Sequence, residues 1–419
     1  MRSLTRREAL LLGTTALLAG PRSLAASSSH LSKIDLWNNA GGPYLRGAVI
    51  TQRRIYPHID GEGDFMGPGP FGVIYTQADF DALAKAGANA VLLSYPGIYS
   101  EKPPFRLDEK ALSHLSASVE MARRARLFAV IGFRTGPGRS EFTFHVGEHG
   151  SWFQPEMYND AVWRKAEARA AWAKMWQKAA AQFANNPTVV GYELMVEPNS
   201  NHIGLDTLHE KPGIFDPDIF ARRFSKSALD WPAFYPVIVN AIRKVDTKTP
   251  VIINANNYGD PTFLSNLKRI NDPRAVYSFH YYEPQDYVMQ EADTKRALSK
   301  EALSPDRWLK PADAFLKTGA SRLAVTEFGV TRWAPGAKDY LVSIMAAFEK
   351  RGCNQFLFHW PSHHAPYERV VNAHNYNFGA SPKQLSPLKP NALMDAISRS
   401  WARNRIRLPL SALGLRGSR

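Results

Sequence analysis

Cysteine is almost missing from this chain. The 419 residues contain one, Cys353, so no disulfide can form within the molecule. It precedes the apolar run of "RGCNQFLFHW" and is expected to be a buried, inert thiol. Beyond the N-terminus no apolar run approaches the 18 or so residues of a membrane-spanning helix. There is no internal repeat, no low-complexity block and no long linker. The Gly/Pro-rich stretches "FMGPGPFG" (65–72) and "RTGPGRSEF" (134–142) lack the Gly-Lys-Ser/Thr ending of a phosphate loop, so they are read as rims of a cleft. "HWPSHHAPY" clusters His359, His363 and His364, but no His-x-His or His-Glu-x-x-His spacing occurs. They are read as loop histidines. No metal and no organic cofactor is expected.

Acidic residues are in short supply, and the formal net charge is +14. Much of the excess sits at the ends. The first 26 residues hold Arg2, Arg6, Arg7 and Arg22 against Glu8 alone, and six arginines follow Asp395 with no acid among them. The body between is only mildly basic and has no basic stripe interleaved with aromatics, which excludes a nucleic-acid surface. Paired Arg6-Arg7, a short apolar run and the small-residue exit at Ser23-Leu24-Ala25 resemble a twin-arginine export signal over 1–26. An exported, periplasmic or extracellular protein follows. The basic segment 401–419 is read as a solvated tail.

What the body does have is alternation. Short apolar segments at 45–50, 90–95, 127–133, 188–195, 250–254, 276–281, 322–326 and 355–358 read as strands. Most are apolar on both faces, as in a buried parallel sheet. Helical patterns fall between most of them. One begins after Thr76, a candidate N-cap, and one is Ala-rich with Trp172 and Trp176 a turn apart. Eight strands alternating with helices predict a single (β/α)8 TIM barrel with long βα loops over 27–400, expected to be a monomer.

Barrel enzymes carry their chemistry at the C-terminal ends of strands. Glu197, in "GYELMVEPNS", follows the fourth candidate strand, and Glu327, in "LAVTEFGV", ends the seventh. Two acids at equivalent heights are what glycoside hydrolysis needs: one protonates the leaving oxygen while the other attacks the anomeric carbon. Glu193 shares Glu197's parity and is read as a buried structural acid with a partner such as an arginine. Trp37, Tyr44, Trp152, Trp231, Trp333 and Tyr376 are candidate sugar-stacking residues.

From "YLRGAVI" to "FLFHW" the chain resembles glycoside hydrolase family 5, the cellulase family of clan A. "YELMVEP" resembles the acid/base segment, which implies that role for Glu197. "VTEFG" resembles the nucleophile segment, which implies it for Glu327. "VYSFHYYEP" resembles the sixth-strand segment, where His280 would line the site near the acid/base and Tyr282 would orient the nucleophile. "LFHW" resembles the eighth-strand end and implies a sugar platform at Trp360. Asn199 and Arg134 complete the candidate supporting set.

Three positions depart from the family pattern. Val196 replaces the asparagine that hydrogen-bonds the sugar 2-hydroxyl, Leu92 replaces the second-strand arginine, and Arg134 stands where the third strand usually offers a histidine. Arg134 is expected to supply the missing positive charge to Glu327. The resemblance implies an exported retaining β-glycosidase acting on a poly- or oligosaccharide, endoglucanase-like. The alternatives are a carbohydrate-binding barrel with vestigial catalysis and a metal-dependent barrel hydrolase.

Overall fold

The computed structural model describes residues 31–56, 75–145, 153–205, 213–319, 322–361 and 372–413. The expected export signal, the loop 65–72, Trp152, His363 and His364 lie outside these residues. Eight parallel strands close into one barrel in sequence order: β1 (Arg46–Thr51), β2 (Ala90–Tyr95), β3 (Phe128–Phe133), β4 (Val189–Glu193), β5 (Val251–Asn254), β6 (Ala275–Tyr281), β7 (Leu323–Phe328) and β8 (Gln355–Leu357). The helices are α1 (Gln77–Lys85), α2 (Glu109–Arg124), α3 (Ala166–Phe183), α4 (Pro217–Phe224), α5 (Trp231–Arg243), α6 (Lys310–Lys317), α7 (Ala337–Lys350) and α8 (Ala392–Trp401). This is the expected (β/α)8 architecture, and every expected strand is present. α1 begins at Thr76 as anticipated: its backbone N–H and hydroxyl both bond Asp79 Oδ2, at 2.7 and 2.9 Å, which satisfies an otherwise orphaned donor.

Strand alternation sorts the core into two layers. Val49, Leu92, Val130, Val190, Ile252, Val276, Ala324 and Phe356 point inward and pack as one cluster with Leu36, Trp37 and Leu408. Their neighbours, such as Ile50, Leu93, Ile131, Tyr192, Ile253 and Phe279, point outward and join the helices. Leu92 therefore faces the barrel interior as an apolar filler.

The floor of the barrel corrects one expectation. Residues 402–408 do not trail into solvent but dock on the N-terminal ends of the strands. Asn404 donates to Arg46 O and Gly87 O, Arg407 to Ala88 O and Gly87 O, and Asn89 to Ile406 O. Leu408 is fully buried. The arginine-rich composition suggested solvation, but these side chains and amides satisfy backbone carbonyls that the strand ends leave open.

Three ladders carry an extra residue: β4 gains one against β3 at Val190, and β7 gains one against both of its neighbours. Phe279 pairs with Val325 but His280 pairs with Glu327, and on the other side Val325 pairs with Gln355 while Phe328 pairs with Leu357. Thr326 is the added residue, a β-bulge on β7. It lets two consecutive side chains face inward. Thr326 accepts from Asn254 Nδ2 at 3.1 Å, and Glu327 lies against His280 just above.

Candidate active site

Glu197 and Glu327 reach one place by different routes. Glu327 stands inside β7, raised by the bulge. Glu197 lies four residues beyond the end of β4, on a bend with φ of 53°, the left-handed region that a non-glycine residue enters at a cost of about 1–3 kcal/mol. The surroundings over-determine that bend. Trp172 and Trp176 of α3 both donate their indole N–H to Leu194 O, at 3.1 and 2.7 Å. Leu194 N donates to Ile252 O and Val196 N to Phe133 O. Tyr258 N donates to Pro198 O. The buried Arg139 donates to Val196 O at 2.6 Å and to Glu197 O at 2.5 Å. Hydrogen bonds from a charged donor are worth about 1.5–3 kcal/mol each, enough to offset the strain.

His280 links the two acids. Its Nδ1 lies 3.1 Å from Glu197 Oε1 and 3.5 Å from Glu327 Oε2. One donor atom from each of Glu197, His280 and Glu327 falls within 4.8 Å of the others. Tyr282 donates its hydroxyl to Glu327 Oε2 at 3.1 Å. Glu327 is nearly buried and Glu197 is 16% exposed, so Glu197 is the acid that meets the opening.

The electrostatics follow from burial. Burial lowers the affinity of His280 for a proton, but Glu327, Glu197 and Glu193 together outweigh it and raise its pKa to about 9. Burial pushes the Glu327 carboxyl up, and Glu197 and Glu193 push it the same way. His280 and Arg134 pull it down, leaving it at about 7. The three side chains thus form two carboxyl groups bridged by one imidazole.

The remaining expected site residues are placed as follows. Arg134 bonds Glu141 Oε1 at 3.0 Å rather than Glu327, and its guanidinium lies over Phe144 at 4.2 Å. It acts on the pair through its field: burial works against its charge, but Glu141, Glu197 and Glu327 hold the proton on. Asn199 is fully buried, accepting from Arg139 and donating to Thr143 O. It braces the bend and does not line the opening. Glu193 is buried in the interior with Asn254 Nδ2 on its Oε1 at 3.1 Å, and burial raises its pKa. Its partners are an amide and the Thr326 hydroxyl, not an arginine. Val196 is fully buried beside it: a Cβ on Gly132 would meet Val196 Cγ2 at 2.8 Å and Glu193 Oε2 at 3.0 Å.

Trp360 is a correction. Its indole donates to Asp79 O of α1 and packs on Trp401 of α8, within the outer core. The aromatic on the inner side of β8 is Phe358, half-buried, packed against the inward cluster and 6.4 Å from the Tyr282 ring. Phe358 takes the position that the sequence reading gave to Trp360, because the chain bends after β8 and turns the later residue outward. Of the stacking candidates, Trp37, Trp231, Trp333 and Tyr376 bond backbone carbonyls with their polar ends, and Tyr44 packs at the barrel floor. Arg139 and Phe358 were not singled out from sequence. The Gly-Pro-Gly turn before Arg139 was the available signal for the first.

The chain is similar to known proteins in sequence and in fold. The family model for cellulase (glycosyl hydrolase family 5) matches residues 65–364. Endoglucanase C of Acetivibrio thermocellus is 24% identical over 242 residues, 57% of this chain and 58% of that protein. The chain thus covers somewhat more than half the length of the curated endoglucanases it matches. An endoglycoceramidase of Cyanea nozakii is 33% identical over 122 residues, 28% of this chain and 22% of that protein. The fold is shared with endoglucanase Cel5A from the hyperthermophilic Thermotoga maritima at a TM-score of 0.59, with 16% identity, 88% of this chain and 100% of that chain covered. With a family model matched over most of its length and the closed barrel to go with it, this chain belongs to the cellulase family, glycosyl hydrolase family 5.

Proposed function

We propose that the protein is a retaining β-glycosidase, endoglucanase-like, that cleaves a poly- or oligosaccharide by double displacement. The observation carrying this reading is the pair Glu197–Glu327, with donor atoms within 4.8 Å of each other and His280 between them. Retaining enzymes hold their two carboxyl groups about 5–5.5 Å apart, whereas inverting enzymes need room for a water between them. Glu197 protonates the glycosidic oxygen as Glu327 attacks the anomeric carbon. The leaving sugar departs with that proton, and Glu327 is left in an ester bond to the remaining one. Glu197, now a carboxylate, takes a proton from water, the water oxygen attacks the anomeric carbon, and Glu327 is released. Tyr282 donates to the attacking carboxylate and fixes which oxygen faces the sugar. Phe358 offers a half-exposed apolar face beside it.

The test is turnover of an activated aryl β-glycoside by wild type, Glu327→Gln and Glu197→Gln. Loss of the nucleophile should reduce the rate by 10⁴-fold or more, on the order of a removed triad nucleophile. Equal rates for wild type and Glu327→Gln would end the enzymatic reading and leave a carbohydrate-binding barrel, which the apolar Val196 and Leu92 would suit. Product analysis by NMR distinguishes retention from inversion. Export rests on the Arg6-Arg7 pair and the apolar run behind it. Retention in the cytoplasm of an Arg6→Lys/Arg7→Lys form would support it, and unchanged fractionation would reject it.

A further inference from the structure

Within the Gly/Pro-rich stretch 134–142, the turn Gly136–Arg139 takes no part in the chemistry just described, yet it delivers a side chain into the site's foundation. Gly136 and Arg139 exchange backbone hydrogen bonds at 3.0 and 2.8 Å, and Gly138, at φ of 73°, bonds Glu101 O. This closed turn aims Arg139 inward, where it is fully buried. Its fork spans two successive carbonyls, Nη1 to Val196 O at 2.6 Å and Nη2 to Glu197 O at 2.5 Å, and Nη2 also reaches Asn199 Oδ1 at 3.3 Å. The guanidinium carbon lies 4.6 Å from the Phe144 ring centre. No carboxylate is hydrogen-bonded to it among the described residues. A charge buried without a bonded counter-ion is costly, and here it is spent on the backbone of one left-handed residue.

We propose that Arg139 is the positioning residue for the acid/base Glu197, holding its backbone in the left-handed conformation that brings the carboxyl to the glycosidic oxygen. The inference rests on the two-carboxylate reading. Lysine cannot replace it fully, because a single ammonium does not span two carbonyls set by a planar fork. The Glu197 side chain is not touched. The effect travels through the peptide units on either side of its Cα, and it acts on the step in which a proton is delivered.

A misplaced acid harms a reaction in proportion to the leaving group's need for a proton. The experiment measures kcat/KM for a phenyl and a 2,4-dinitrophenyl β-glycoside of one sugar, in wild type, Arg139→Met, Arg139→Lys and, as reference, Glu197→Gln. Arg139→Met should lose about 100-fold on the phenyl glycoside, in the range that general acid catalysis supplies. Its loss on the dinitrophenyl glycoside should be at least about tenfold smaller, because that leaving group departs largely unprotonated. Arg139→Lys should fall between wild type and the Met form. Equal losses on both substrates would overturn the proposal in favour of general loosening. If Arg139→Met does not fold, Arg139→Lys carries the same comparison. A crystal structure of whichever variant folds gives a second readout independent of turnover. Glu197 leaving the left-handed region, with its bond to His280 opened, supports the proposal; an unmoved Glu197 overturns it. Wild type inert on every glycoside would reject the two-carboxylate reading, and the crystal structure would still decide the role of Arg139.

Discussion

His280 is the group that stands between the two acids, its Nδ1 within 3.1 Å of Glu197 and 3.5 Å of Glu327. With its pKa raised to about 9 it is an imidazolium at neutral pH, and it favours the ionised form of Glu327, whose own pKa lies at about 7. Glu327 must be ionised to attack, so kcat/KM should fall as pH drops through about 7. In His280→Gln that acidic limb should move to higher pH by about one unit or more, since an opposite charge at this distance typically lowers a carboxyl by 1–3 units. A pH–rate profile whose acidic limb stays in place would show that His280 does not set the ionisation of Glu327. Glu197, Glu327, His280 and Tyr282 were legible in the sequence because each sits in a short string on a strand end. Phe358 and Arg139 were not. "LFHW" offers two aromatics two residues apart, and the bend that turns one inward and the other outward leaves no trace in the letters. Arg139 bonds carbonyls 57 and 58 residues away, and backbone acceptors have no sequence signature at all.

At the scale of an element, α3 does more than cover β4. Its tryptophans, one turn apart, converge on a single carbonyl at the point where the strand stops and the bend toward Glu197 begins. Either indole alone can satisfy Leu194 O. Replacing one, Trp172→Phe or Trp176→Phe, should cost about 1 kcal/mol, whereas the double replacement leaves a buried acceptor unpaired and should exceed the sum of the singles. Denaturant unfolding of the four proteins measures that difference, and strict additivity would contradict it. The turn-spaced tryptophans were visible in the sequence, but their common target was not. The bulge at Thr326 was equally hidden. Strands apolar on both faces give no alternation from which a one-residue insertion could be noticed. A strict alternation from Ala324 would send Glu327 toward the helices.

Over the whole molecule, chemistry and closure occupy opposite ends of the barrel. The charged bend, His280 and Phe358 lie at the C-terminal ends of the strands. Residues 402–408 seal the N-terminal ends, together with Trp37, whose indole donates to Val190 O. Removing everything after Trp401 should therefore lower stability by several kcal/mol, since it uncovers Leu408's pocket and strips partners from Arg46 O, Gly87 O and Ala88 O. kcat per folded molecule should stay close to wild type, as none of the described residues after Trp401 touches the site. Thermal unfolding with active-site titration checks both halves of that statement. Among the described residues no helix is long and apolar enough to cross a membrane. Composition alone had marked this segment as a loose basic tail, because the pairing of arginine and asparagine with carbonyls is a property of the fold. The same docking has a bearing on timing. Carbonyls laid down with the first and second strands wait for donors that leave the ribosome only after all eight strands have done so, and the floor of the barrel thus cannot close before the last strand is made, whatever order its strands and helices collapse in beforehand.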